Sequence, residues 1–300
     1  MQKLKNYWRR EPVLCIAVML AAASSFYSRP QLVYIDFDVL AILLSLMLVV
    51  AELKEIRFLD WLAVELLNKC RSKRQLELVL LAVTYVSSMF VTNDVALLTF
   101  VPLALVIGKT LKMDMERIII LQTLAANLGS MLTPPGNPQN LFLYAHYAYT
   151  AGSFFAVMAV PGIISLAYLL LLLFHGKDSV LKLELPKLQQ PPKGILLLFL
   201  GLLLLNIGAV LHWFDKLWAL LLTAGVVALC DWRRLRAVDY SLLVTFAGFF
   251  CVYRQHQPQS CGKLFAAVAY GQCGRNIFNR TAGQPVPQQC AGGYAAGRLD

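Results

Sequence analysis

Apolar residues run through this chain in long blocks, not in the short alternations of a soluble sheet or the one-sided stripes of a soluble helix. A helix that crosses a bilayer needs about 20 such residues. The blocks from Pro12 to Tyr27, Asp38 to Leu53, Phe154 to Phe174, Ile195 to Val210 and Leu217 to Leu229 approach that length. A further helix begins at Leu242 and loses its apolar character after Phe250. Between the second and third blocks, KEIRFLDWLAVELLNKCRSKRQ carries apolar residues at helical spacing and ends in basic ones. It predicts an amphipathic helix lying at the membrane surface.

Two regions break this pattern from inside. Leu76 to Ile107 is apolar except at Thr92-Asn93-Asp94. Each arm is about 14 residues, or roughly 20 Å of helix, short of a hydrocarbon core about 30 Å thick. Basic residues flank both outer ends: Arg71, Lys73 and Arg74 before, and Lys109, Lys112 and Arg117 after. Under the positive-inside rule both ends face the cytoplasm. A re-entrant hairpin with its tip in the membrane is therefore expected. The second break is Thr133-Pro134-Pro135-Gly136-Asn137-Pro138-Gln139-Asn140, between Ile118–Leu132 and the apolar stretch from Leu141. Three prolines and a glycine stop any helix there, so this segment predicts one discontinuous helix.

Charge follows the same topology. AHYAYTAGS has no Lys or Arg, while Lys177, Lys182, Lys187 and Lys193 mark the next loop and Arg233, Arg234 and Arg236 a later one. The N-terminus then lies in the cytoplasm, and MQKLKNYWRREP precedes a first membrane helix in place of a cleaved leader. With 58% hydrophobic and 15% charged residues and a mean hydropathy of +0.62, the chain is polytopic. Its net charge of +10 reflects loop Lys and Arg, not a nucleic-acid partner. None of the seven cysteines forms a CxxC, and no His has zinc-ligand spacing, so neither a metal site nor a disulfide framework is expected. No nucleophile–base set or paired carboxylates point to an enzyme. The tryptophans, with His146 and His175, read as interfacial residues.

Helix breakers, amides and a carboxylate at membrane depth are tolerated where they line an enclosed site. Two such breaks in neighbouring segments point to solute binding in a secondary transporter. Simple N-capping by Thr92-Asn93-Asp94 is the plainer explanation of the first. It leaves the carboxylate of Asp94 unexplained. A kinked helix whose amides only repair its backbone is the plainer explanation of the second.

Both motifs resemble those of the ion transporter superfamily, the group of citrate transporters, divalent-anion/sodium symporters and arsenite-type anion permeases. The resemblance covers about Phe37 to Phe250. It implies an all-α inverted-repeat fold in which the hairpin tip and the Thr-Pro-x-Gly-x-Pro-x-Asn-type break form half of a cation and anion site. Carried over residue by residue, Thr92, Asn93, Asp94, Gly129, Ser130, Thr133, Gly136, Asn137 and Asn140 would bind substrate and ion. The implied function is transport of a carboxylate or oxyanion coupled to Na+ or H+, without another cofactor, by a homodimer in the cytoplasmic membrane. Asp94 departs from the Ser-Asn-Thr tip of dicarboxylate members, which leaves Na+/H+ antiport and arsenite export open.

Three regions follow: a first membrane helix over 1–36, a citrate-transporter-like domain over 37–250, and a tail over 251–300. The tail is polar, rich in Gln and Gly, and holds four of the seven cysteines. Read from the second base of each codon, Gln288 to Ala296 permits Ser-Asn-Val-Pro-Ala-Ala-Met-Leu-Leu, which resembles the second hairpin tip of the same family. In that frame Val252 to His256 permits Phe-Ile-Gly-Asn-Ile. The expectation is a tail translated out of frame, most of the second repeat missing, and a chain that transports weakly or not at all.

Overall fold

A computed structural model describes residues 11–27, 35–147, 149–176, 178–181, 185–186 and 188–256. The tail from 257 on, and with it Cys261, Cys273 and Cys290, lies outside the described residues, as do Lys177, Lys182 and Lys187. Among the described residues the regular elements are helices: α1 (Pro12–Tyr27), α2 (Phe37–Glu55), α3 (Phe58–Leu67), α4 (Lys73–Val91), α5 (Asn93–Leu111), α6 (Glu116–Ser130), α7 (Pro138–His146), α8 (Ala151–Phe174), α9 (Lys193–Val210), α10 (Lys216–Asp231) and α11 (Tyr240–His256). Short 3-10 turns cover Pro134–Gly136 and Trp232–Ala237. By length and composition α4, α5, α8 and α9 can each cross a membrane. The protein is an all-α, multi-pass membrane protein.

The starts of these helices are written locally. Asp36, Ser72 and Asp215 turn their side chains onto the free amides of the first turns of α2, α4 and α10, and Thr150 with Ser153 forms a capping box on α8. α1 has the predicted bounds. The hairpin is present as α4 and α5 joined through Thr92 alone, but its arms are longer than expected, at 19 residues each. Polar first and last turns, Lys73–Gln75 and Gly108–Leu111, extend the helices past their apolar blocks. Arm length therefore no longer argues against crossing. α11 likewise continues past Phe250 to a length of 17 residues.

Position in the bundle now bears on the depth of the tip. α8 is 24 residues, about 36 Å long. A Cβ on its Gly162, near the middle of that length, would lie 2.1 Å from Leu132 in the second break. The break thus packs against the centre of the longest span. The Thr133 hydroxyl in turn donates to the carbonyl of Met89, one turn before the hairpin tip.

Apolar packing divides into two cores. The first gathers α3, α4, α5, α6 and the second half of α8, with Val50 reaching in from α2 and Phe58 touching both cores, and with Leu76, Phe100, Ile118 and Leu169 at its centre. The second gathers α2, α7, the first turns of α8, and α9 to α11 around Leu48, Tyr144, Phe154 and Phe199. α3 buries Leu59, Ala63, Val64 and Leu67, the apolar stripe expected of it, against the first core.

Polar ties reinforce each core at the end of the bundle that carries the basic residues. On α6, Arg117 pairs with Glu77 of α4 and donates to the carbonyls of Leu172 and Leu173 at the end of α8. The connector after α8 is clipped back onto the start of α4. Asn68 exchanges two hydrogen bonds with Leu185, and the backbone amide of Arg74 donates to Asp178 at 3.0 Å, which holds that carboxyl below the usual carboxylate range. In the second core Arg234 pairs with Glu52, whose side chain is buried.

Candidate functional site

The hairpin tip is a single strained residue. Thr92 has φ 74° and ψ 153°, a region that a β-branched residue adopts at a cost of about 1–3 kcal/mol. Its carbonyl accepts from Ala96 at 3.1 Å, closing the first turn of α5, while its side chain makes no capping bond. The amides of Asn93, Asp94 and Val95 begin α5 without a side-chain cap, and a helix start in that condition favours negative charge. Asn93 turns across to the next helix, where its amide donates to the side-chain oxygen of Asn127 at 3.2 Å. Asn127 is fixed by its own bond to the Thr123 carbonyl at 2.8 Å. Asp94 is exposed on the first turn of α5.

The second break is held by amides. α6 stops at Ser130, two 3-10 prolines follow, and Asn137 starts α7 by accepting from the backbone of Asn140 at 2.7 Å. Its own amide donates to the Ser130 hydroxyl at 3.3 Å. Asn140 is buried, and its amide reaches the carbonyls of Ser130, Met131 and Thr133 at 3.2, 2.8 and 3.1 Å. These are carbonyls that the broken helix leaves without a partner. Two glycines permit the crowding. A Cβ on Gly136 would stand 2.2 Å from the Ser130 carbonyl, and one on Gly129 would stand 2.3 Å from the Tyr85 carbonyl of α4.

The predicted residues therefore fall into three groups. Thr92, Asn93, Ser130 and Asn137 converge, with Asn127, around the junction of tip and break. Gly129, Gly136, Thr133 and Asn140 build that junction through close approach and backbone hydrogen bonds. Asp94 borders it from the exposed side. Asn127 carries the link between the two motifs, and only its place just before the break hinted at this. Gln122 was not legible at all: it is fully buried, donating to Thr84 at 3.2 Å and to the Phe100 carbonyl at 3.4 Å, and so joins α4, α5 and α6 below the tip.

Chemically, the cluster offers uncharged oxygens suited to a hard monovalent cation and open helix amides suited to an anion. Among the described residues no cluster of His, Cys, Asp and Glu is arranged to hold a metal ion. A surface hollow of about 620 Å³ lies elsewhere, around Lys109, Lys112 and Met113.

Comparison with known proteins bears on this arrangement. A family model described as citrate transporter matches residues 6–267. The inner membrane protein YbiR of Escherichia coli is 31% identical over 219 residues, 72% of this chain and 58% of its own length. The uncharacterized transporter MJ0456 of Methanocaldococcus jannaschii is 33% identical over 224 residues, 72% of this chain and 59% of its own. A putative transporter arsB of Dictyostelium discoideum is 26% identical over 146 residues, 48% of this chain and 26% of its own. The chain thus spans somewhat under three-fifths of the first two relatives.

Proposed function

The chain belongs to the citrate transporter family, and on that footing we propose that its site serves secondary active transport of a small anion, a carboxylate or an oxyanion, coupled to Na+ or H+. The observation that carries this is the Asn93–Asn127 bond, which joins the hairpin tip to the helix whose break packs against the middle of α8. Polar groups are costly at that depth unless they serve a solute or an ion. In this reading the oxygens of Asn93, Asn127, Ser130 and Asn137 face the coupling ion, and the first amides of α5 face the anion. The setting is the cytoplasmic membrane with the N-terminus inside, in a homodimer, with neither an enzymatic step nor nucleic acid involved.

The exposed carboxylate of Asp94 favours a second reading, Na+/H+ antiport or arsenite export with Asp94 as the proton carrier. Asp94→Asn separates the two. Loss of proton coupling supports the antiport reading, and intact coupling removes it. We also propose that the tail after Phe250 is out of frame. Sequencing the gene through that codon would show a one-base slip followed by a second apolar half; an unbroken frame would reject this.

Uptake of radiolabelled citrate, sulfate and arsenite into vesicles carrying the purified chain tests the main reading. Gradient-driven uptake is expected, and Asn93→Ala and Asn137→Ala should each lower it at least tenfold. Absence of uptake for all three solutes under both Na+ and H+ gradients would leave a non-transporting membrane remnant as the function.

A further inference from the structure

The corner between α5 and α6 lies at the end of the bundle that carries the basic residues, and it is a tightly built turn. Lys112 closes α5 in the left-handed region at φ 52°, and the Met113 amide returns to the Gly108 carbonyl at 2.9 Å. A Cβ on Gly108 would lie 2.4 Å from the side chain of the buried Met115. Asp114 then accepts from the backbone amide of Glu116 at 3.0 Å as α6 begins. Lys109, Lys112, Asp114 and Glu116 are thus set around one fixed turn, and all four are exposed. They line the hollow of about 620 Å³, whose apolar side is Leu105, Ile119 and Ile120. A second hollow of about 420 Å³ adjoins it across Asp114, Glu116 and Ile120, and is bordered by Leu121 and Leu124 of α6 and Leu172 of α8.

The charges at this corner have no partner within the protein. Among the described residues none of the ion pairs includes Lys109, Lys112, Asp114 or Glu116. Arg117, beside the smaller hollow, is already engaged by Glu77 and by the carbonyls of Leu172 and Leu173. Two cations and two carboxylates therefore border one hollow without neutralising each other. A simple anion there would meet both carboxylates, and a simple cation both lysines. A group that joins a phosphate to an ammonium answers both pairs. Lysine meets phosphate as a point charge, and a primary ammonium has three protons to donate to carboxylates.

Depth and surroundings indicate what carries such a group. From Asn93 to Lys109 the helix rises about 24 Å. With the hairpin tip near the middle of the membrane, Lys109 then stands at headgroup level in a bilayer about 40–45 Å thick overall. The stretch of α8 that borders the smaller hollow also turns Leu171 and Phe174 outward, 66% and 52% exposed. We propose that this corner is a selective site for a phosphoethanolamine lipid. Its phosphate lies on Lys109 and Lys112, its ammonium on Asp114 and Glu116, and an acyl chain in the hollow between α6 and α8. The site is separate from the tip and the break. It requires that the hairpin be in the membrane, and not that any solute be transported.

Native mass spectrometry of the full chain, delipidated in a nonionic detergent, reads bound lipid directly. Dioleoyl lipids that differ only in headgroup are added separately: phosphatidylethanolamine, phosphatidylcholine and phosphatidylglycerol. The ethanolamine lipid should bind at least about tenfold more tightly than the choline lipid, the effect of one hydrogen bond to a charged group, and more tightly than the glycerol lipid. Asp114→Asn with Glu116→Gln should remove its advantage over the choline lipid and strengthen binding of the glycerol lipid. Lys109→Gln with Lys112→Gln should weaken the ethanolamine and glycerol lipids alike. Equal binding of all three headgroups would overturn the proposal, as would a preference for the glycerol lipid or an ethanolamine preference that survives loss of both carboxylates. Displacement of the lipid by an equal concentration of soluble phosphoethanolamine would overturn the choice of a lipid as occupant. Asn at 114 keeps an acceptor for the Glu116 amide, and the headgroup comparison on the unmodified chain stands without any variant.

Discussion

Gly129→Ala would measure how much the contact between tip and break depends on a missing side chain. The added Cβ would stand 2.3 Å from the Tyr85 carbonyl and 2.5 Å from the Ser88 hydroxyl, where ordinary contact begins near 3.4 Å. The nearer atom is backbone, so a rotamer change cannot relieve it. α6 must withdraw from α4 by about 1 Å, the difference between those contacts. The Asn93–Asn127 bond is already 3.2 Å long, and the same withdrawal would carry it past the hydrogen-bond limit. Overpacking of this kind costs about 1–3 kcal/mol. An alanine in an open helical position instead gains about 0.5–1 kcal/mol over glycine. Gly201 on α9 is the control, since nothing lies within 4 Å of its added Cβ. Unfolding in mixed micelles, driven by increasing SDS and followed by far-UV circular dichroism, reads both variants on one scale. The expectation is a lower midpoint for Gly129→Ala and an unchanged or higher one for Gly201→Ala. Equal midpoints would refute the claim that α4 and α6 meet at backbone distance.

Asn140→Ala should cost about 2–4 kcal/mol in the same titration, because it strips the partners from buried carbonyls at the end of α6 while Asn137 loses none of its own side-chain bonds. Arg234→Met should destabilise by about 3–5 kcal/mol, since it leaves the buried Glu52 carboxylate unpaired, whereas Glu52→Gln should cost less, because Arg234 is one-third exposed and keeps Asp231 at 3.6 Å. The double replacement Glu52→Leu with Arg234→Met should recover most of that loss, and a double variant no better than the singles would contradict the assignment. His212 is exposed as a whole, but its ring stacks on Tyr144 at 5.5 Å, and partial desolvation there holds its pKa below the usual value of 6.5, helped by Lys216 and opposed by Asp38. The unfolded chain therefore takes up this proton first as pH falls. The contribution of His212 to stability is complete above about pH 6.5 and is lost as pH drops towards its lowered folded value. His212→Phe should flatten that part of a pH–stability curve measured between pH 5 and 8, and an unaltered curve would exclude His212 as its source.

Much of the fold was legible because a bilayer sets the length of what crosses it. The block from Pro12 to Tyr27 became α1 without adjustment. Errors arose where polar residues continue a helix beyond its apolar part, as at Lys73–Gln75, since hydropathy marks the membrane and not the hydrogen-bond ladder. The break over 133–140 was legible through its prolines. What Asn140 does there was not, because three carbonyls converge on it only after the chain has turned. The bond from Asn93 to Asn127 spans 34 residues and that from Arg234 to Glu52 spans 182. No local pattern encodes such pairings. The division into two cores was equally hidden, because helices lined with Leu and Val look alike whichever core they enter.

Depth and exposure together decide what faces the tip. Ile163 and Ile164, next to the point where the break meets α8, are 69% and 64% exposed, as expected of side chains turned to lipid. At the hairpin tip and on the helix beside it, Asp94 and Asn127 are exposed as well. A carboxylate facing hydrocarbon there would cost about 2.5–3.5 kcal/mol on an insertion scale. No cation in the described structure neutralises Asp94. Its face of the hairpin must then look onto water or further protein inside the membrane, while the Ile163 face looks onto lipid. Single cysteines at Asp94 and Ile163, in a cysteine-free background and in lipid nanodiscs, distinguish these surroundings. A charged, membrane-impermeant thiol reagent should modify the cysteine at 94 at least tenfold faster than the one at 163. Comparable rates at the two positions would mean that the hairpin lies outside the bilayer or that its polar face is closed to water. The second of these predicts a cysteine at 94 as slow as the buried Cys70 kept as a single cysteine in a parallel variant.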